Sequence, residues 1–312
     1  MHFKLFSKNI ELFCTIFVLY NTITYYFVHF KIKYMELFHQ TSYKISAIVT
    51  KSYSNSFYLS TILLENKTKE AIHGIYGFVR YADEIVDTFH GYNKMYLIEK
   101  FEADMKEAIQ HKISMNPILD AFQLAVNEYN IPYEYIDAFM KSMKMDLTKK
   151  QYLTKAETDE YIYGSANVVG LMCLKIFCFK NDKLFNELVK PAEMLGSAFQ
   201  KVNFLRDLKA DTEGLDRTYF SNFDKNNFDE SAKRELIHEI EAEFDIALEG
   251  LKRLPGRSKL AVLTAYNYYR TLLLKIKRTE ASAILKKRIR ISNTRKMTLM
   301  AKAAIEYKFK IV

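Results

Sequence analysis

Asp83 and Asp87 stand one helical turn apart in Tyr76-Gly-Phe-Val-Arg80-Tyr-Ala-Asp83-Glu-Ile-Val-Asp87. Asp207 and Asp211 repeat that spacing in Gln200-Lys-Val-Asn203-Phe-Leu-Arg206-Asp207-Leu-Lys-Ala-Asp211. Positions 76, 80, 83 and 87 step by four, three and four, so on a helix they form one stripe of Tyr, Arg, Asp and Asp. Gln200, Asn203, Asp207 and Asp211 form a second stripe, with Arg206 one position off it. Carboxylates this close repel one another in an apolar setting. A divalent cation removes the penalty, and Mg²⁺ characteristically combines one or two carboxylates with phosphate oxygens. Two such helices face to face would hold Mg²⁺ between their aspartates, with Asn203 completing the oxygen shell. Arg80 and Arg206 would grip a diphosphate. Either stripe alone reads more readily as a solvated helix face; the pairing of two, each with its arginine, argues for chemistry.

Elements able to carry such stripes are abundant. Of 312 residues, 49% are hydrophobic and 27% charged, which excludes disorder. Only nine Gly and four Pro leave little material for the turns of an all-β fold. Helical periodicity predicts helices near Tyr43–Tyr53, Lys69–Phe89, Tyr96–Gln110, Pro117–Tyr129, Tyr133–Asp146, Thr158–Phe177, Lys183–Ala210, Asp229–Glu249 and Leu260–Lys277, with a last one from about Arg290. Loops are expected around His90, Ser114–Pro117, Asn130–Pro132, Asp211–Asn227 and Leu254–Gly256. Dinucleotide, P-loop, nucleophile-elbow and HExxH motifs are all missing. Cys14, Cys173 and Cys178 have neither disulfide-framework nor zinc spacing, which fits a reducing, cytosolic setting.

Charge is distributed unevenly. From Leu251 to Val312 there are 17 Lys or Arg and two acids, so the other residues carry a net negative charge within an overall +9. A cationic end on an acidic body suggests an anionic partner: a phosphate ester, a diphosphate, a lipid headgroup or a nucleic acid. Nucleic acid is not expected, because the acidic stripes would repel its phosphates. Residues 1–34 include an apolar stretch, Leu12 to Phe30, broken by Asn21, Thr22 and Thr24. It reads as a marginal membrane anchor or as sequence preceding a true start at Met35. The expected organisation is therefore an apolar extension over 1–34 and one domain over 35–312.

The two stripes resemble the aspartate motifs of the squalene/phytoene synthase family, bacterial phytoene synthases in particular. Further segments of that family are resembled by Tyr53-Ser-Asn-Ser-Phe57, Tyr161-Ile-Tyr-Gly-Ser-Ala-Asn-Val-Val-Gly170, Gly214-Leu-Asp-Arg217-Thr-Tyr219 and the basic Arg288-Ile-Arg-Ile. The resemblance implies an all-α, single-domain isoprenoid-synthase bundle with a central apolar cavity. It implies a Mg²⁺-dependent prenyltransferase (Mn²⁺ serving in its place) that joins two geranylgeranyl diphosphates head to head through a cyclopropylcarbinyl diphosphate, giving phytoene in carotenoid biosynthesis. Asp83, Asp87, Asn203, Asp207 and Asp211 would be metal ligands. Tyr53, Ser54, Asn55, Ser56, Tyr76, Arg80, Gln200, Arg206, Tyr269 and Arg288 would contact substrate, and Tyr161 would stand near the reacting carbons. Asn167 departs from the family's usual Gly, which is expected to alter packing near that centre.

The same likeness admits squalene or dehydrosqualene synthesis from farnesyl diphosphate; NADPH is not expected for the phytoene product. A non-catalytic binding or assembly protein of the same family would be marked by loss of the aspartates, and all four are present. A hydrocarbon product implies peripheral contact with the inner membrane face, the basic C-terminal region meeting anionic lipid.

Overall fold

The computed structural model describes residues 34–149, 152, 154–210 and 228–311, and among these every regular element is a helix. The first, α1, spans 34–53 and starts earlier than periodicity suggested. It is followed by α2 (Asn55–Thr61), α3 (Asn66–Asp87), α4 (Lys94–His111), α5 (Pro117–Tyr129), α6 (Tyr133–Thr148) and α7 (Lys155–Ile162). A π-helical turn at Tyr163–Asn167 joins α7 to α8 (Val168–Phe177). The remaining helices are α9 (Asp182–Ala210), α10 (Glu230–Leu251), α11 (Gly256–Lys277), α12 (Ala281–Ile284) and α13 (Asn293–Lys308). The expectations for residues 1–33, for Asp211 and for Gly214 to Tyr219 fall outside the described residues.

Local sequence fixes many of the ends. Asn116 caps α5 through its side chain, with Pro117 in the first turn, where a missing N–H costs nothing. Thr154 and Glu157 close a reciprocal capping box on α7. Asn130 and Lys112 end α5 and α4 in the left-handed conformation. Pro191 lies inside α9, where its ring displaces a backbone hydrogen bond. Gly250 of α10 faces that ring, and a Cβ there would collide with the Pro191 Cβ.

The apolar faces gather into two large cores. One joins α3, α4, α5, α6 and α8, with Phe78 stacked on Phe122 at a centroid distance of 3.9 Å. The other joins α7, α9, α10, α11, α12 and α13 around Val202, Phe244, Leu272 and Ile276. A smaller third cluster includes Leu174, Leu188 and Leu254. α3 belongs to the first core and α9 to the second, so the two acidic stripes come from opposite halves of the bundle. No helix of the described residues is long and apolar enough to cross a membrane.

Candidate active site

A cavity of about 900 Å³ lies between the two large cores. Asp83, Asp87, Arg80 and Tyr76 enter it from α3; Gln200, Asn203, Arg206 and Asp207 enter from α9. Tyr53, Ser54, Asn55 and Ser56 reach it at the α1–α2 junction, Tyr161 from α7, Tyr269 from α11 and Arg288 from the segment before α13. The structure thus brings fifteen of the sixteen sequence-predicted site residues to one cavity; the sixteenth, Asp211, lies outside the described residues.

The polar end is a lattice of arginine and carboxylate. Arg80 pairs with Asp83 and Glu84 on its own helix, and its guanidinium lies over the Tyr53 ring, 4.5 Å from the centroid. Asp207 is held from two sides. Arg206 Nε donates to its two oxygens at 3.0 and 3.1 Å, and Arg288 Nε stands 2.6 Å from Oδ1. Burial draws the Arg206 pKa down, but its hydrogen bonds to Asp207 outweigh that and hold the guanidinium charged. The Tyr269 hydroxyl donates to Asn203 Oδ1 at 3.2 Å, and its ring stacks on Phe199 at 3.9 Å. Burial raises the Tyr269 phenol above its usual range and takes Tyr76 to about 12, so both are neutral donors near pH 7. Tyr76 also stacks on Phe57, with centroids 5.0 Å apart.

Asp83, Asp87, Asn203 and Asp207 offer only hard oxygen donors. That set fits Mg²⁺ or Mn²⁺ and suits neither zinc nor copper. No group of three or more His, Cys, Asp or Glu among the described residues is arranged to hold a metal ion. Asp83 and Asp207 are instead partnered by arginine, the charge arrangement that a diphosphate and its cation would exchange into.

Away from the charges the wall is apolar. Ile72, Phe139 and Met143 line it from the first core; Leu188, Leu251, Leu254 and Val262 line it at the third cluster and beyond. Tyr161 is buried, and its hydroxyl donates to Asp146 Oδ2 at 2.9 Å while its ring sits 4.9 Å from that of Tyr152. The helix expected to run unbroken over Thr158–Phe177 opens into the π turn beside this tyrosine, and such turns re-aim side chains. Gly164 makes the turn fit: a Cβ there would strike Ser142 Oγ and lie 2.5 Å from the Ala138 carbonyl of α6. Gly196 of α9 approaches the same turn so closely that a Cβ on it would lie 3.0 Å from Asn167 Cα. Asn167, the departure noted in the sequence, keeps a buried Oδ1 with no hydrogen-bond partner.

Asp146, Ser165, Phe199, Arg290, Asn293 and Lys296 also line the cavity and were not anticipated. An isolated acid near the end of α6 carries no signal of its own. Arg290 and Lys296 lie within a basic stretch whose charges cannot be ranked by type alone. Cys173 lines the cavity as well, and burial pushes its thiol up to about 12, leaving it protonated and inert.

Comparison with known proteins agrees with this geometry. The squalene/phytoene synthase family matches residues 50–295. A 15-cis-phytoene synthase of Pantoea ananas is 26% identical over 253 residues, covering 74% of this chain and 81% of its own. A 4,4'-diapophytoene synthase of Staphylococcus haemolyticus is 24% identical over 290 residues, covering 86% and 98%. Among solved structures, a dehydrosqualene synthase in complex with ligand superposes with a TM-score of 0.74 at 21% identity, over 86% of this chain and 98% of its own. A squalene synthase from Alicyclobacillus acidocaldarius gives 0.64 at 19% identity, over 80% and 93%. With its matching span, its helical fold and its two acidic stripes on one cavity, the chain belongs to the squalene/phytoene synthase family, prenyltransferases that join two prenyl diphosphates head to head.

Proposed function

We propose that the protein condenses two geranylgeranyl diphosphates to phytoene in a Mg²⁺-dependent reaction, working at the inner face of a membrane. The observation that carries this reading is the convergence of Asp83 and Asp87 with Asn203 and Asp207 on one cavity whose far wall is apolar. Mg²⁺ held by those residues and Asp211 would neutralise the leaving diphosphate.

The chain's own residues have the remaining tasks. Arg80, Arg206 and Arg288 grip diphosphate oxygens as bidentate cations, exchanging their present carboxylate partners for phosphate. Tyr76, Tyr269 and Gln200 donate or accept at the same end, while Ser54, Asn55 and Ser56 close it from the start of α2. Tyr53, stacked under Arg80, fixes the plane of that guanidinium. An allylic cation formed beyond the diphosphate would face Tyr161, Phe199 and Phe204 in a wall that excludes water. Tyr161 is fixed there because its hydroxyl is tied to Asp146. The first condensation releases one diphosphate and a proton. The cyclopropylcarbinyl diphosphate then loses its one remaining diphosphate at the same charged end, and rearrangement with loss of a second proton gives the hydrocarbon.

Farnesyl diphosphate as substrate, giving dehydrosqualene, is a second reading. It draws support from the coverage of 98% of the diapophytoene synthase and from the TM-score of 0.74 to a dehydrosqualene synthase. Incubating the purified chain with Mg²⁺ and either the C15 or the C20 diphosphate, and identifying the hydrocarbon by mass, tests both. A C40 product with the C20 substrate supports the proposal; a C30 product alone supports the second reading. Consumption of neither would overturn the enzyme reading.

A further inference from the structure

We propose that the outward stripe of α13 is a membrane-docking surface that seats the chain on an anionic bilayer beside the basic edge of the cavity. One side of α13 is already occupied: Leu299 and Ala303 are buried, and the helix packs along α11. The opposite side carries Met297, Ala301, Ile305 and Phe309 at every fourth residue, followed by Ile311. Met297 is 48% exposed, Ile305 54%, Ile311 66% and Phe309 67%. Single exposed apolar residues are ordinary; a stripe of them along one helix is not.

Cations border the stripe. Arg295, Lys302, Lys308 and Lys310 are all exposed, and the helix's one acid, Glu306, is engaged by Asn267 and Lys302. An apolar ridge flanked by lysine and arginine is the pattern of a helix lying in a bilayer interface, with the cations meeting anionic headgroups. The ridge is one residue wide. A stable protein partner needs roughly 1,000 Å² of complementary surface, whereas lipid imposes no shape.

Position gives the stripe its use. Asn293 and Lys296, in the first turn of α13, line the cavity, as do Arg288 and Arg290 just before it. The ridge begins at the next residue, Met297. A prenyl diphosphate in a bilayer keeps its chain among acyl tails and its diphosphate at the surface. Docking through α13 would bring that diphosphate to Arg288, Arg290 and Lys296 while the chain passes between apolar surroundings. The inference deepens the proposed function and rests on its lipid-like substrate, but vesicle binding is read without any turnover.

The test uses the full chain and vesicles of phosphatidylcholine, with and without phosphatidylglycerol. Two variants are compared with the unaltered chain: Ile305→Asp with Phe309→Asp, and Lys302→Gln with Lys308→Gln and Lys310→Gln. The unaltered chain is expected to sediment with the anionic vesicles, less so as salt is raised. Each variant is expected to lose at least tenfold in apparent affinity while circular dichroism, solution mass and turnover of detergent-dispersed substrate stay unchanged. Variants that bind anionic vesicles as the unaltered chain does would overturn the proposal. So would failure of the unaltered chain to bind, or a dimer that the Ile305/Phe309 variant splits with no change in vesicle binding. Loss of vesicle binding in the variants of a chain that condenses neither substrate would leave the docking surface standing and remove the substrate reading.

Discussion

Asp207 takes guanidinium groups from two directions, one from α9 and one from the segment before α13. Asp83 is paired within α3 by Arg80. These pairs neutralise both carboxylates before any ligand arrives, and their separation from the apolar wall sets out where charge and where carbon belong. If the aspartates serve a divalent cation, Asp83→Asn and Asp207→Asn should each lower kcat by about 10²–10³, the usual effect of removing one electrostatic group from a transition state. Helical content should stay the same, since an amide keeps the shape and part of the hydrogen bonding. Steady-state turnover with Mg²⁺ beside far-ultraviolet circular dichroism makes the check, and undiminished turnover would refute the assignment. The spacing of aspartates is visible in the sequence because period 3.6 is a local property. The Tyr161–Asp146 bond is not, because α6 and α7 must first pack before those groups meet.

At the scale of elements, α7, the π turn and α8 decide where Tyr161 sits in the cavity. Gly164 lets the turn press against α6, and Gly196 lets α9 approach it from the other side. Gly164→Ala is expected to destabilise the fold by about 1–3 kcal/mol, the range for overpacking, because the obstacle includes a backbone carbonyl that cannot rotate away. The variant should also lower turnover, with Tyr161 displaced; a thermal melt and a rate measurement decide, and an unchanged midpoint would contradict the close packing. A second element-scale effect belongs to α3. His73 is buried, stacked on Tyr58 and bonded to Thr61 at 2.9 Å, and burial lowers its pKa to about 4. Between pH 6.5 and 4 the unfolded chain binds a proton that the folded chain does not, so stability falls on acidification, by at most about 3 kcal/mol. Denaturation midpoints across that window should fall less steeply for His73→Phe than for the unaltered chain, and parallel slopes would exclude His73 as the source. Helix periodicity recovers most of these elements to within a few residues. It misses α2, seven residues whose start is set by the Ser54 cap, the short α12, and the π turn, which depends on the close passage of α6.

For the whole molecule, the two cores carry one acidic stripe each, and the cavity between them is where they can act together. The uneven charge of the chain takes on meaning at this scale: the acidic body supplies α3 and α9, and the cationic end supplies Arg288, Arg290 and Lys296 along one edge of the cavity. The fold class and the meeting of the stripes are legible from composition and spacing. The depth of the cavity is not, because it depends on how α8, α9 and α10 stack around Pro191 and Gly250. Arginine and carboxylate now satisfy one another across this site, so a cation or a diphosphate arriving alone must break those pairs and leave one side bare. Together they can take both partners, the cation the carboxylates and the diphosphate the guanidiniums. Mg²⁺ with inorganic diphosphate should therefore raise the melting temperature by more than the sum of their separate effects. At a hundred times the apparent Kd the joint stabilisation should reach about 2.7 kcal/mol, a rise of several degrees. Chelating the metal should return the midpoint to that of diphosphate alone, and in Asp207→Asn the excess over additivity should vanish. Strictly additive shifts in the unaltered chain would mean that the two acidic stripes do not share a ligand.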